Sequence, residues 1–167
     1  MHSKSIQTLW KFTVTRVSRE LILTRFFSCS SLERAIIPSV EMLGLNTFIG
    51  CSSLEYVECN RLQQAGSFAF GLCKSLRSID LPSAKIINTG AFFCCGKLTS
   101  VKFGKQLEII TDLSFVDCLS LERITIPLKI GLIATDDVFT GFKNLKSVDL
   151  LEAEALNATM DALHCEE

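Results

Sequence analysis

The sequence predicts an α/β solenoid, a stack of parallel short strands joined by short helical turns in about six coils of 22–24 residues, with a C-terminal helical cap. Three observations predict it. Phenylalanine recurs at intervals of 22 to 24 residues, cysteine and leucine follow it three and six residues later, and an amphipathic segment ends the chain. The phenylalanines are Phe26, Phe48, Phe70, Phe92, Phe115 and Phe139.

Each unit reads F-x-x-C-x-x-L-x-x-I-x-L, so five positions recur in register. The cysteine position holds Cys29, Cys51, Cys73, Cys95, Cys118 and finally Phe142. The leucine position holds Leu32, Leu54, Leu76, Leu98, Leu121 and Leu145. The last two positions hold Ala35 and Ile37, Val57 and Cys59, Ile79 and Leu81, Val101 and Phe103, Ile124 and Ile126, and Val148 and Leu150. These last two positions are separated by one residue, the period-2 pattern of a strand with one buried face, so the pattern predicts one parallel strand in each coil.

Turn-forming and helix-capping residues lie upstream of the last four phenylalanines. They are Gly66 and Ser67, Asn88 and Thr89, Thr111 and Asp112, and Thr135 and Asp136. Because such residues favour helix N-termini, the F-x-x-C segment is predicted to begin as one short helical turn. Leu43, Ile87 and Ile110, five residues before a phenylalanine, indicate a further inward position and a second short strand.

The two ends of the chain differ from the repeat. Residues 1–20 form an incomplete N-terminal unit in which Leu9, Phe12 and Val14 match the strand half, and residues 21–150 form the solenoid. In the C-terminal part, 151–167, the apolar residues Leu156, Met160 and Leu163 have the spacing of an amphipathic helix. We expect this helix to cover the last coil, because an open solenoid end exposes core side chains and an unpaired strand edge.

The unit from Ile87 through Phe92, Cys95 and Leu98 to Phe103 resembles the BspA-like class of leucine-rich repeats, and the segment from Phe70 to Pro82 is its clearest copy. The resemblance covers roughly residues 21–150. It implies a leucine-rich-repeat stack that serves as a recognition scaffold, since this class is found in surface adhesins and in many microbial and protist proteins. The resemblance does not imply a particular partner.

Composition excludes several function classes. A formal net charge of -1 argues against a dedicated nucleic-acid or membrane-surface binder. No apolar run approaches the 18 residues of a membrane span or forms the core of a signal peptide. We therefore expect a cytoplasmic protein-interaction scaffold with a protein partner. The alternative is a surface or secreted adhesin whose signal sequence lies upstream of Met1.

The sequence predicts no enzyme, no cofactor and no metal site. The five cysteines of the repeat are expected to be reduced core thiols, with zinc binding or disulfide bridges as the alternative. The two histidines, His2 and His164, lie near the chain ends and are not placed for catalysis. Asp136 and Asp137 fit a helix cap better than a paired carboxylate site.

A partner is expected to bind the outward side of the strands, because alternate side chains of a strand point away from the core. The outward residues differ from coil to coil. Tyrosine and arginine are enriched at binding hot spots, which singles out Arg34, Tyr56 and Arg123. The full set of predicted binding residues is Arg34, Tyr56, Glu58, Asp80, Lys102, Arg123 and Asp149.

Overall fold

The computed structural model describes residues 13–15, 26–133, 136–140 and 143–151. They form a solenoid whose front side carries one short parallel strand from each unit. The front strands are β1 (Thr13–Thr15), β2 (Arg34–Ile36), β4 (Tyr56–Glu58), β6 (Ser78–Leu81), β8 (Ser100–Phe103), β10 (Arg123–Pro127) and β11 (Ser147–Leu151). Within β1, β2 and β4, and within β6, β8, β10 and β11, they pair in register from coil to coil, with Val14 opposite Ala35 and Ile79 opposite Val101.

A second ladder of two-residue strands forms the back of the solenoid, as the positions of Leu43, Ile87 and Ile110 predicted. Its strands are β3 (Met42–Leu43), β5 (Gln64–Ala65), β7 (Ile86–Ile87) and β9 (Ile109–Ile110). They pair in parallel in the order β3-β5-β7-β9, and Ile133 continues the ladder as a single bridge to Ile110. A turn of the solenoid therefore runs from a front strand to a back strand and returns through the F-x-x-C segment.

The core consists of the predicted columns of identical or similar side chains. Phe48, Phe70, Phe92 and Phe115 are fully buried, and each ring stacks on the next at a centroid distance of 5.1–5.7 Å with the planes within 9° of parallel. Phe26 extends the same stack, 5.1 Å from Phe48. Stacked aromatic pairs each contribute about 0.5–1.5 kcal/mol beyond the area that they bury. The recurring phenylalanine is therefore a structural element of every described coil.

The cysteine column is hydrogen-bonded as well as buried. Four thiols donate to the backbone carbonyl of the phenylalanine one coil earlier, at Sγ to oxygen distances of 3.0–3.2 Å. The pairs are Cys51 with Phe26, Cys73 with Phe48, Cys95 with Phe70, and Cys118 with Phe92. The seven cysteines among the described residues are all free thiols. Cysteine therefore supplies a small apolar body and a weak donor, and the thiol is a second donor to a carbonyl that also accepts the N–H of the cysteine three residues later.

The predicted helical turns are wrong for the described coils, where the F-x-x-C segment is a series of turns. The residues two before and two after a column phenylalanine have a left-handed backbone, as at Phe68 (φ 53°), Leu72 (φ 58°), Gly90 (φ 63°) and Cys94 (φ 56°). A left-handed residue interrupts an α-helix. In addition, alternate N–H groups donate to the next coil rather than along the segment, as Phe70 does to Ala91 at 2.8 Å. Hydrogen bonding between coils thus replaces the helix that the capping residues suggested.

The described residues form about five turns, fewer than the six coils that the spacing predicted. Five front strands, β2 to β10, are each followed by a back strand or the bridge at Ile133. The unit of Phe139 contributes a 3-10 helix, Asp136–Phe139, and the front strand β11, without a described back strand after it. The predicted C-terminal helix lies outside the described residues, as do both histidines.

Candidate protein-interaction surface

The predicted binding residues all lie on the front strands, and we call the outward side of these strands the front surface. Register places them in two rows. The first row contains Arg34, Tyr56 and Arg123, and the second contains Glu58, Asp80, Lys102 and Asp149. In β4 and β8 the neighbours along the strand, Val57 and Val101, are buried, because strand side chains alternate between the two faces, whereas Val148 and Leu150 beside Asp149 in β11 are exposed.

Arg34 and Tyr56 are neighbours on adjacent coils and contact each other. The guanidinium carbon of Arg34 lies 4.5 Å from the centroid of the Tyr56 ring, a cation–π distance. Tyr56 is nevertheless 41% exposed. The pair therefore places a positive charge and an accessible aromatic ring next to each other, the two residue types most enriched at binding hot spots.

A seam divides the front strands between β4 and β6. The strands β1, β2 and β4 form one three-stranded sheet, and β6, β8, β10 and β11 form a separate four-stranded sheet. A cavity of about 190 Å³ opens at this seam, and Tyr56, Val57, Glu58, Asn60, Ser78, Ile79 and Asp80 line it. The seam is thus a recess on the front surface, and three of the seven predicted residues line it.

Two acidic side chains, Glu58 and Asp80, line the seam. Within the described ranges, no basic side chain forms an ion pair with Glu58 or Asp80. Both carboxylates also affect the pKa of the buried Cys59 thiol. Burial raises the pKa of Cys59 to about 12, and the charges of Asp80 and Glu58 add to this shift because they disfavour a thiolate. Two carboxylates therefore line the recess, and Lys102 on β8 lies opposite Asp80 in the strand register.

At β10 and β11, charged side chains of the front surface form ion pairs with each other. Arg123 lies 3.7 Å from Asp149, and Lys146 lies 3.0 Å from Glu122. These pairs are exposed, so each contributes at most about 1 kcal/mol to stability. The structure thus brings Tyr56, Glu58 and Asp80 together, pairs Arg123 with Asp149, and leaves Lys102 between the two groups.

Several apolar side chains on the turns of different coils are exposed, which the sequence analysis missed. Phe27 is 57% exposed, and Leu113 and Leu119 are also exposed. Phe68 and Phe93 pack edge to face nearby, with centroids 6.0 Å apart. The residue after a column phenylalanine is apolar at Phe27, Ile49, Phe93 and Val116, but of these four only Phe27 is exposed and the other three are half-buried. The sequence shows the apolar residues, whereas their exposure depends on the conformation of the turns.

The acidic, cysteine and histidine side chains of the described residues form no cluster. None of their His, Cys, Asp and Glu side chains come together in groups of three or more that could hold a metal ion. Cys94 lies 3.7 Å from the Asp117 carboxylate, and burial together with that carboxylate raises the pKa of its thiol, which opposes nucleophilic activation. Asp137 is exposed within the 3-10 helix Asp136–Phe139. In the same described ranges, no helix is long and apolar enough to cross a membrane.

Comparison with known proteins identifies the repeat. The family model of the BspA type leucine rich repeat region matches six copies across residues 20–146. No curated protein matches. Among solved structures, a leucine-rich repeat protein from Bacteroides ovatus shares 26% identity with a TM-score of 0.64, covering 75% of this chain and 32% of that protein.

Two further solved structures are similar. The T. pallidum leucine rich repeat protein shares 25% identity over 84% of this chain and 74% of its own length, with a TM-score of 0.62. A leucine rich cell surface protein from Faecalibacterium prausnitzii also shares 25% identity with a TM-score of 0.62, over 75% of this chain and 34% of that one. The chain therefore spans about one third of the length of the Bacteroides and Faecalibacterium proteins.

Proposed function

Since the chain belongs to the BspA-type leucine-rich repeat family, we propose that it is a non-catalytic scaffold that binds a protein partner through its front surface. One observation carries this proposal. The inner columns repeat nearly the same side chain in every coil, whereas the outward positions of the same strands differ from coil to coil. Repeating positions serve stacking, and the varied row is free to recognise a partner.

The seam between β4 and β6 is the proposed centre of the contact. It combines a recess of about 190 Å³, the exposed ring of Tyr56 and the two carboxylates Glu58 and Asp80. Aromatic anchors that fill or line a pocket dominate most protein interfaces, while exposed ion pairs contribute little. We therefore assign the larger share of the binding energy to the seam and the smaller share to the pair of Arg123 and Asp149.

A second candidate function is recognition at a cell surface. The Faecalibacterium prausnitzii protein, which has a similar fold, is described as a cell surface protein. A cytoplasmic location remains a prediction for this chain. Protease treatment of intact host cells distinguishes the two, because a surface protein is cleaved and an internal one is protected. The result assigns the compartment in which a partner must be sought.

The binding test compares front-surface variants with a matched variant on another side of the coil. A partner is first captured from the host and purified, and its affinity is then measured by calorimetry. Tyr56→Ala is expected to weaken binding at least tenfold, which corresponds to about 1.4 kcal/mol, and Arg123→Ala to weaken it less. Leu119→Ala, an exposed residue on the turns, serves as the control and is expected to bind like the wild type.

Two results would contradict the proposal. If Tyr56→Ala and Arg123→Ala both bind like the wild type while Leu119→Ala does not, the binding surface is the apolar turns. If the pure protein shows hydrolase activity in a broad substrate screen, the chain is an enzyme. Unfolding in urea is measured for each variant, because exposed substitutions should change the free energy of unfolding by no more than about 0.5 kcal/mol.

A further inference from the structure

Among the described front strands, only β4 and β6 adjoin without pairing. The strands β4, β8, β10 and β11 each begin with two consecutive N–H groups that donate to one carbonyl of the preceding coil. At β4 the N–H groups of Glu55 and Tyr56 donate to Glu33, at 2.9 and 3.3 Å. The equivalent N–H groups of β6, those of Arg77 and Ser78, make no such bonds to Glu55. The hydrogen bonds that join the other front strands at their first residues are therefore missing at the seam.

The same two coils remain joined on their other sides. In the turns, the N–H of Phe48 donates to Ala69 at 2.8 Å. At the back, β5 pairs in register with β7, and the N–H of Lys85 donates to Gln63 at 2.7 Å. The interface between these coils is thus closed along the turns and the back, and open only along the front.

The packing beneath the seam is wider than at the neighbouring steps. Phe48 and Phe70 lie in the turns that lead to β4 and β6, and their ring centroids are 5.7 Å apart, whereas the other stacked pairs of the column are 5.1–5.3 Å apart. The recess of about 190 Å³ at the seam is lined in part by Val57 and Ile79, two buried side chains of the inner columns. The recess therefore reaches the core.

Two like charges lie on opposite sides of the recess. Glu58 on β4 and Asp80 on β6 belong to the same outward row, and both line the recess. Lys102 on β8 lies in register with Asp80 on its other side, so it does not separate the two carboxylates. Carboxylates on neighbouring strands repel each other, which favours a wider seam.

We propose that the seam is a hinge: the front opens between β4 and β6, favoured by the repulsion of Glu58 and Asp80, while the turns and the back stay joined. Opening β8 from β6 breaks the bonds of Thr99 and Ser100 to Arg77, but opening the seam breaks no equivalent bonds. The hinge requires no partner. It sets the distance between the two halves of the front surface, β1-β2-β4 and β6-β8-β10-β11, so a partner that contacts both halves binds one form more tightly than the other.

The thiol of Cys59 reports on the hinge. Cys59 is fully buried and lies between Glu58 and Asn60, which both line the recess. Cys73 and Cys95 are equally buried but lie in the turns, where hydrogen bonds between coils are intact. Each of these thiols reacts with an alkylating reagent only after an opening that exposes it. Their rates therefore compare opening of the front with opening of the turns.

The first test labels the wild-type full chain with iodoacetamide under native conditions, and mass spectrometry gives the rate at each cysteine relative to the urea-unfolded chain. We expect Cys59 to react at least about tenfold faster than Cys73 and Cys95. Its rate should change little in low urea, because a hinge opening exposes little surface. Equal rates at the three thiols, or a Cys59 rate that rises with urea as steeply as that of Cys73, would overturn the proposal.

Two matched variants test the repulsion by the same labelling. Glu58→Gln removes one of the two carboxylates at the recess, and Glu108→Gln removes an exposed carboxylate of a different coil. We expect Glu58→Gln to slow Cys59 labelling at least about twofold and Glu108→Gln to leave it unchanged. Without a hinge, the loss of a carboxylate beside Cys59 favours the thiolate, so labelling becomes faster. An equal or faster rate in Glu58→Gln therefore contradicts the proposal.

Discussion

The inner and outer sides of the front strands are built from the same backbone but follow different rules. In β8, Val101 and Phe103 are about 1% exposed, whereas Ser100 and Lys102, which alternate with them, face outward. The inner positions are apolar in every described coil, and the outer ones change from serine to tyrosine to arginine. The difference shows that stacking between coils determines the inner residues, whereas the outer residues are not constrained by that stacking.

The largest effect should come from the middle of the phenylalanine column. Phe70 stacks on both Phe48 and Phe92, so Phe70→Ala is expected to lower the free energy of unfolding by about 3–5 kcal/mol. Phe26 is only partly buried, so Phe26→Ala is expected to cost clearly less. Urea denaturation of both variants checks this. Equal losses would show that stacking on two neighbours adds nothing.

A smaller loss of stability is expected when a side chain is added at one tight turn. Gly90 has a left-handed backbone, and a Cβ there would overlap the ring of Phe68 on the preceding coil. Gly90→Ala is therefore expected to destabilise the fold by about 1–3 kcal/mol. Gly96 has open space around its Cα, so Gly96→Ala is the matched control and should change stability by less than about 0.5 kcal/mol. Thermal melting separates the two, and a neutral Gly90→Ala would refute the assigned contact.

The smallest effect is a dependence of stability on alkaline pH. Burial raises the pKa of Cys51 and of Cys59 to about 12, from an ordinary value of 9.0. Below pH 9 both states keep the proton and the free energy of unfolding is constant. Between about pH 9 and pH 12 the unfolded chain releases these protons first, so stability falls as pH rises.

Urea midpoints from pH 7 to pH 10 measure this slope. Cys51→Ala/Cys59→Ala is expected to reduce it, whatever its effect at neutral pH, while Cys73 and Cys95, whose pKa burial also raises well above 9.0, continue to contribute. Cys94→Ala, which removes one half-buried thiol, should retain most of it. An identical slope in the wild type and the double variant would mean that the buried thiols do not titrate as their burial requires.

The buried columns could be predicted from the sequence, but the conformation of the turns could not. Burial of Phe92, Cys95 and Leu98 follows from a period that can be counted, since identical residues at a constant interval must stack in a coil. The left-handed residues could not be predicted, because Phe68 and Leu72 are residue types that rarely adopt that conformation. These residues donate hydrogen bonds to the next coil, to acceptors 21 or 22 residues away in the sequence, as Phe68 does to Thr89 and Cys94 to Val116.

The front surface, too, could be predicted from the sequence only in part. Alternation predicted that Tyr56, Glu58 and Asp80 face outward, because that depends only on the period of a strand. The seam between β4 and β6 had no sequence signal, since it depends on how two neighbouring coils pair. The capping residues upstream of the phenylalanines led to the wrong prediction of a helical turn. These residue types favour turns as well as helix N-termini, and in the described coils they lie in turns.

Two adjacent phenylalanines provide the most direct test of the distinction between inner and outer positions. Phe92 is fully buried and stacks on Phe70 and Phe115, whereas Phe93 is partly exposed and contacts Phe68 edge to face. Urea denaturation of Phe92→Ala and Phe93→Ala measures both. We expect Phe92→Ala to lose about 3–5 kcal/mol or to unfold, and Phe93→Ala to lose about 1 kcal/mol. Equal losses, or a Phe92→Ala protein that melts like the wild type, would contradict the account.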